Sequence, residues 1–573
     1  MEEGMHMEKR ASSSKRSTAI RVRWAAVLCL AAGTGLSQPY KTVGEMPLGL
    51  AQPYSARQDV IRFLEQATFG PSDALIAHVQ ALGLDGYLQE QFAAPQSTYP
   101  SLPEQPESAK AGCPAGSPAT CLRDNYSMYP LQVQFFENAV SGQDQIRQRV
   151  ALALHEILVV SGVKIRQPSE VSPYLNMLLR DAFGNYRQIL YDLTLNPAMG
   201  HYLDMVNNDA PVPGGSVSPN ENYAREVLQL FSIGVNQLNP DGTVVLDATG
   251  NPVPTYTQDT IEGFARVFTG WTYAPLAGAR LAKHDPPNFL APMVLYRNGA
   301  GQDTNHDKGA KTLLSYPGSV DSNLPPNQDG ETDLAEALDD IFHHPNVGPF
   351  IGKQLIQHLV TSNPSPAYVS RVAAAFDDNG TGVRGDMKAV VRAILMDPEA
   401  RGSVKTDAGY GHLREPVLFI TGLLRAFDGA TNGEMAGQAN AMGQDLFNSP
   451  SVFSYYPHEY LVPGTSIQGP EFGIEDSSSA EARLNFVNAL TSVGVRTASG
   501  VTTIDLSSLL PFAGTPSLLV SRLDTLLLHG TMSAAMTADV TTAIAAVSST
   551  NSLLRVQTAV TLVAGSSQYQ VER

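Results

Sequence analysis

Residues 143–160 read QDQIRQRVALALHEILVV, and the fold class follows from this stretch. Its periodicity predicts a helix with apolar residues on nearly every side, which are Ile146, Val150, Ala153, Leu154, Ile157 and Leu158. A helix that is apolar almost all round is usually buried at the centre of a core. We therefore expect other helices to surround this one.

The flanking sequence repeats the helical pattern. Residues 57–68, RQDVIRFLEQAT, place Val60, Phe63, Leu64 and Ala67 on one face, which is the spacing of an amphipathic helix. Further helical patterns cover 72–93, 170–196, 220–234, 257–271, 331–345, 347–361, 365–378, 385–398, 412–428 and the region from about 476.

Two segments break the helical pattern. Residues 241–256 carry short valine-containing stretches separated by DG and TG, which predicts a small β-hairpin. Residues 274–330 are rich in Pro, Gly, Asn and Asp and predict a long ordered excursion, where function often resides. The predicted fold is mainly α, with one large helical domain over residues 56–573.

Composition excludes one class of partner. The 573 residues are 43% hydrophobic and 16% charged, as in an ordinary globular protein, and the formal net charge is −17. A protein that binds phosphate backbones needs clustered lysines and arginines, and no basic run follows the N-terminal region. We expect no nucleic-acid partner.

The N-terminal region predicts export. A basic stretch precedes an apolar run over residues 24–32, and small residues follow at Gly35 and Ser37, so residues 1–37 are typical of a signal peptide. Residues 38–55 then form a linker. Later apolar runs are too short to cross a bilayer, so the mature chain is expected to have no transmembrane span. The expected location is periplasmic, cell-surface or extracellular, and retention of the segment as an anchor is the alternative.

Two cysteines remain after such a cleavage. Cys113 and Cys121 flank a short loop containing Pro and Gly. An even pair in an oxidising compartment predicts a disulfide, and the metal interpretation is weaker because no second Cys or His pair stands at ligand spacing.

Nine strings along the chain share one pattern. They are RFLEQATFGPS (62–72), IRQRVALALHEILVVSG (146–162), NENYAREVLQLFSIG (220–234), YTQDTIEGFARVFTGW (256–271), HDKGAKTLL (306–314), HHPNVGPFIGKQLIQHLV (343–360), LREPV (413–417), PSVFSYYPHEY (450–460) and SSQYQVER (566–573). In this order they resemble the signatures of one family, the uncharacterised, exported bacterial proteins of DUF1800. The resemblance implies a large helical secreted or envelope protein, and it implies no particular activity.

The densest polar cluster opens the helix at 220–234. Glu221 and Arg225 are spaced to form an ion pair, and Asn222 and Glu226 are spaced likewise. In the functional interpretation, Glu221 or Glu226 is a general base or metal ligand, Arg225 neutralises an anionic substrate and Asn222 binds it. In the structural interpretation, the cluster is a capped helix start.

A second cluster lies in the long excursion. His306 and Asp307, followed by Lys311, could hold a divalent ion together with Glu226, and Lys311 could bind a phosphate or carboxylate. The alternative is a turn that carries an exposed histidine. We therefore predict catalytic roles for His306, Asp307 and Lys311 beside those of the first cluster.

Aromatic residues offer a third interpretation. Trp271 could be a substrate-binding platform for sugars, together with Tyr455 and Tyr456, although a core position beside the Gly270 helix end is favoured for the tryptophan.

Three familiar-looking strings are discounted. Residues 380–385, GTGVRG, follow a helix and not a strand, so they do not indicate a dinucleotide site. The SGVK at 161–164 lacks its partner motifs, and His155-Glu156 lacks the second histidine of the zinc-protease motif.

The sequence thus leaves open whether the protein is an enzyme. One hypothesis is an exported metal-assisted hydrolase acting on an anionic or polymeric substrate, with a divalent ion as cofactor. The other is a noncatalytic scaffold or carbohydrate-binding protein.

Overall fold

The computed structural model describes residues 56–211, 218–403 and 407–573. The predicted signal peptide, residues 1–37, and the linker, 38–55, lie outside these described residues.

Helices dominate the described part of the chain, which confirms the predicted fold class. In chain order they are α1 (Arg57–Ala67), α2 (Asp73–Leu82), α3 (Leu84–Ala93), α4 (Ala109–Gly112), α5 (Cys121–Asn125), α6 (Tyr129–Ser141), α7 (Gln145–Ile157), α8 (Pro168–Asp181), α9 (Tyr186–Thr194), α10 (Pro197–Tyr202), α11 (Asn222–Gln229), α12 (Gln258–Val267), α13 (Gly330–His343), α14 (Val347–Leu359), α15 (Pro366–Asp377), α16 (Met387–Met396), α17 (Pro398–Arg401), α18 (Pro416–Ala426), α19 (Ala436–Ala441), α20 (Ser477–Ser492), α21 (Pro516–Leu528), α22 (Ala534–Ala546), α23 (Ser552–Ala564) and α24 (Ser567–Gln570). Short 3-10 helices cover Pro470–Ile474 and Ser507–Phe512.

The described strands are two residues long and pair antiparallel in twos. The pairs are β1 (Trp271–Thr272) with β2 (Val294–Leu295), β3 (Lys311–Thr312) with β4 (Asn323–Leu324), β5 (His412–Leu413) with β8 (Val571–Glu572), and β6 (Val495–Arg496) with β7 (Val501–Thr502). The third pair brings the end of the chain to the segment that precedes α18.

The central helix is α7, as its sequence predicts. All of its residues except Arg147 are buried, and α3, α6, α8 and α14 pack against it. One hydrophobic cluster runs through the molecule from Val60 to Tyr569. Because α7 is surrounded, its polar side chains must find partners inside the core.

Smaller predictions are confirmed or refined. The four predicted core residues of α1, from Val60 to Ala67, are fully buried. Cys113 and Cys121 form a disulfide, with Cα atoms 5.9 Å apart. Residues 236–254 form antiparallel bridges, such as Leu238 with Val244, around two tight turns and not one regular hairpin. Trp271 begins β1, since α12 already ends at Val267.

None of the helices in the described ranges has the length and apolar character needed to cross a bilayer.

Candidate metal centre

Two carboxylates and one imidazole converge in the core and form the candidate metal centre. Glu156 lies at the end of α7, His358 in the last turn of α14, and Glu415 directly before α18. One ligand atom of each lies within 4.8 Å of the other two, and the structure shows no other such group of three His, Cys, Asp or Glu within the described ranges. Nδ1 of His358 is 3.2 Å from Oε2 of Glu156.

Local sequence places each of these side chains. Packing of α14 against α7 brings the ends of the two helices together. Glu415 precedes Pro416, the first residue of α18, and therefore takes an extended backbone, with φ −56° and ψ 150°. The carboxylate of Glu415 is thus held at a helix start that faces the other two residues.

Neighbouring side chains orient one oxygen of each carboxylate. The Gln444 amide donates to Oε1 of Glu156 at 3.0 Å, and its own oxygen accepts from the backbone N–H of Val417. The Tyr456 hydroxyl donates to Oε1 of Glu415.

The remaining oxygen of each carboxylate is buried and completes no hydrogen bond. Oε2 of Glu156 faces Nδ1 of His358 at 3.2 Å without forming a hydrogen bond, and Oε2 of Glu415 likewise accepts none. Buried polar atoms are nearly always satisfied, so two carboxylate oxygens that lack a hydrogen bond beside an imidazole require an explanation. Carboxylate and imidazole groups are ligands of divalent cations, and the residues present fit such an ion.

Burial sets the proton affinities of the three groups. Burial raises the pKa of Glu156 to about 7. It raises the pKa of Glu415 to about 8, with a further contribution from the charge of Glu156, and it lowers the pKa of His358. Near neutral pH the metal-free site therefore favours protons on its carboxylates, and a cation would replace them.

Two neighbouring cavities give the centre room for ligands. Glu156, His358 and Tyr456 line a cavity of about 30 Å³, which can hold a water molecule or an ion. A larger cavity, of about 480 Å³, shares Phe453 and His458 with it. The smaller cavity thus lies beside a space the size of a small organic ligand.

A second buried cluster supports the centre from the side of the chain end. His412 lies between Glu471 and Glu572, at 3.8 and 3.6 Å. Burial alone would lower the pKa of His412, but the two carboxylates raise it to about 9. Arg414 also pairs with Glu572, at 2.7 Å, and with Glu65, at 2.9 Å. Each ring nitrogen of His412 faces a different carboxylate, so this cluster is an ion network and not a ligand set.

Comparison with family models gives one result that covers almost the whole chain. The model described as "Protein of unknown function (DUF1800)" matches residues 62–571. The chain belongs to the DUF1800 family. Comparisons with curated proteins and with solved structures found no match.

The strings that carried the resemblance meet at the centre of this DUF1800 protein. Glu156, His358, Glu415 and Tyr456 come from four of the nine strings. Glu572, in the last string, lies in the adjoining ion network.

The first cluster predicted from the sequence is a partly exposed helix start. Glu221 pairs with Arg225 at 2.9 Å and also accepts from Gln258 at 2.9 Å. Asn222 is exposed and donates to Asp204 at 2.9 Å. Burial raises the pKa of Glu226, whose Oε2 has no hydrogen-bond partner.

The second predicted cluster is a closed, buried network and not an exposed turn. The ring nitrogens of His306 contact the Thr269 carbonyl oxygen and the Asp333 carboxylate, at 3.0 and 2.8 Å. Both ring nitrogens therefore already face acceptor oxygens of the protein. Lys311 donates to Asp333 at 2.6 Å. Asp333 keeps a lowered pKa because the hydrogen bonds from His306 and Lys311 outweigh the effect of burial.

Helix α12 separates the two predicted clusters. Asp307 pairs with Arg266, near the end of α12, at 2.7 Å, whereas Glu221 contacts Gln258 at its start. Eight residues of helix span about 12 Å. The structure does not bring Glu226, His306 and Asp307 together as one ligand group. Catalytic roles for these clusters stay predictions.

The aromatic residues do not form an exposed platform. Trp271 is buried, as its core interpretation predicts, and lines a cavity of about 590 Å³. Tyr456 is buried against Glu415, and the Tyr455 hydroxyl donates to the Asp445 carbonyl oxygen at 2.8 Å. The exposed aromatic surface assumed for carbohydrate binding is therefore wrong for Trp271 and Tyr456, because both side chains are packed in the interior.

Sequence reasoning passed over the ligand set. It considered Glu156 only as part of an incomplete zinc-protease motif, and it did not consider His358 or Glu415. The available signal was a glutamate inside a helix that is otherwise predicted to be buried on all sides, since a buried carboxylate requires a partner.

Proposed function

We propose that this DUF1800 protein is an exported metal-dependent hydrolase whose ligands are Glu156, His358 and Glu415. The observation that carries the proposal is the pair of buried carboxylate oxygens that complete no hydrogen bond and converge with an imidazole beside a cavity. Three protein ligands leave further coordination positions for water and substrate, as in catalytic metal sites. The mixed ligand set favours an ion such as zinc, iron or manganese.

The chemistry follows from the ligands and their neighbours. A divalent ion at this position would lower the pKa of a bound water and so supply a nucleophile near neutral pH. Glu156 and Glu415 would give up their protons on binding it. Gln444 and Tyr456 fix the carboxylate orientations, and such partners strengthen metal binding.

Export is supported by the disulfide. A bond between Cys113 and Cys121 is typical of proteins that fold in an oxidising compartment.

Metal analysis of the purified protein tests the proposal. We expect about one equivalent of a transition metal in the wild-type protein, lost on His358→Ala, and hydrolysis of a panel of ester and phosphoester substrates that a chelator abolishes. Glu221→Ala is the matched control, because it removes a carboxylate from the other predicted cluster, and it should keep the metal. A metal-free wild-type protein, with His358→Ala merely less stable, would support the noncatalytic scaffold instead.

A second candidate is a metal-free acid–base pair. Oxygens of Glu156 and Glu415 lie within 4.8 Å of each other and the pKa values of both groups are raised, as in carboxyl pairs that share a proton. This candidate predicts hydrolysis that persists in chelator and is abolished by Glu415→Gln.

A further inference from the structure

Lys353 is a cation without an ion-pair partner beside the candidate metal centre. It lies on α14, five residues before His358, and lines the cavity of about 480 Å³. Its side chain is partly buried, and no described residue forms a hydrogen bond or ion pair with it. Burial lowers its pKa, and the charge of Glu459, which also lines this cavity, only partly offsets this effect.

The cavity walls around Lys353 are largely apolar. Leu230, Val235, Phe350 and Phe453 contribute to the lining, and the Glu459 side chain is 73% exposed. A charge next to apolar walls loses part of its hydration, and an anion placed against it would offset that loss. Another buried lysine of the fold already has such a partner. Lys311 pairs with Asp333.

Lys353 lies on the same helix as His358, one of the three proposed metal ligands. Five residues of α14 separate Lys353 from His358, a rise of about 7.5 Å along the helix axis. The two cavities share lining residues, so one molecule can reach from the lysine towards the centre.

We propose that this cavity binds an amphiphilic anion, with its apolar body against Phe350 and Phe453 and its carboxylate or phosphate on Lys353. The inference rests on the proposed function in that this molecule would be the substrate of the centre. Recognition of the anion itself needs no metal. In the sequence-based hypothesis the anion was assigned to Arg225 or Lys311, and both of these are paired within the protein.

Calorimetric titration of chelator-treated protein tests the inference. The probes are 4-phenylbutanoate, 4-phenylbutyl phosphate and the neutral 4-phenylbutanol. We expect wild-type protein to bind at least one anion tenfold or more tightly than the alcohol. Lys353→Met should lose this preference and bind all three probes with the affinity of the alcohol, and Lys353→Arg should retain it. Lys388→Met, which removes an exposed lysine from α16, is the charge-matched control and should bind as wild type.

The outcomes separate the two proposals. Equal affinity for the three probes, absence of binding, or a preference that survives Lys353→Met would overturn the inference whether or not metal binds. An anion preference in a protein that never holds metal would support the inference and remove the proposed function. A preference for the carboxylate over the phosphate, or the reverse, identifies which anion the lysine selects. Should Lys353→Met not fold, Lys353→Gln and Lys353→Arg decide, because only the arginine should keep the preference.

Discussion

Glu156→Gln keeps the shape of the side chain and removes its charge. The glutamine oxygen can still accept from Gln444, as Oε1 of Glu156 does. In metal-free protein, burial raises the pKa of Glu156 from 4.5 to about 7. Between these two values the folded protein holds a proton that the unfolded chain has released, so folding becomes less favourable as the pH rises.

The magnitude follows from the separation of the two pKa values. One pKa unit corresponds to about 1.4 kcal/mol, so the buried carboxyl destabilises the metal-free protein by about 3 kcal/mol above pH 7. At pH 5 this destabilisation is below about 1 kcal/mol, because pH 5 lies only slightly above the pKa of 4.5 in the unfolded chain. Glutamine does not ionise, so the Glu156→Gln variant does not lose this free energy of unfolding as the pH rises.

Urea unfolding in chelator at pH 5 and pH 8 measures the difference. We expect Glu156→Gln to be more stable than wild type by about 3 kcal/mol at pH 8 and nearly equal at pH 5. Saturating metal should reverse the order at pH 8, because only the wild type keeps all three ligands. Glu137→Gln, at an exposed position of α6, should change stability by no more than about 0.5 kcal/mol. A less stable Glu156→Gln at pH 8 in chelator would refute the reasoning, since it would make the carboxylate a structural element.

Three further predictions follow from the contacts. Tyr456→Phe removes the hydrogen bond to Glu415 and should weaken metal affinity by about 10- to 100-fold in a competition titration with a chelator. Asp333→Asn leaves the buried Lys311 without its carboxylate and should lower the free energy of unfolding by about 3 kcal/mol, while metal content stays unchanged. Cys113→Ser opens a short loop and should lower the free energy of unfolding by about 2.5 kcal/mol, with metal binding unchanged.

Each of these three predictions has a control variant or a result that would contradict it. Tyr455→Phe also removes a tyrosine hydroxyl, but one that contacts the Asp445 carbonyl oxygen, so it should leave metal affinity unchanged. Equal losses in the two tyrosine variants would contradict the role given to Tyr456. If the Asp333→Asn variant lost its metal while it remained folded, the metal site would instead be the His306 cluster. Cys113→Ser that unfolds like wild type in the absence of reductant would contradict the stabilising role of the disulfide.

Local pattern was sufficient to predict most of the fold. The period of apolar residues in α1 and α7 identifies their buried faces, because burial of a helix is encoded within its own sequence. The pairing of Cys113 with Cys121 was likewise a local inference. The strand pair between Leu413 and Val571 could not be predicted, because two-residue strands carry no periodicity.

The candidate centre depends on distant packing and was missed for that reason. Glu156 and His358 lie on two helices and Glu415 directly before a third, far apart in the chain, and nothing in the local sequence of any one of them indicates the others. The HD and NENYARE strings drew attention because their polar residues are adjacent in sequence. Adjacency led to Arg225 and Lys311, whose charges the structure pairs internally.

A crystal structure with anomalous scattering data measured at the absorption edge of the bound metal would locate the ion. We expect one strong anomalous peak between Glu156, His358 and Glu415, at about 2.0–2.2 Å from a nitrogen of His358 and an oxygen of each carboxylate. Metal-supplemented crystals that show no peak there, or a peak at Glu226 or His306 instead, would contradict it.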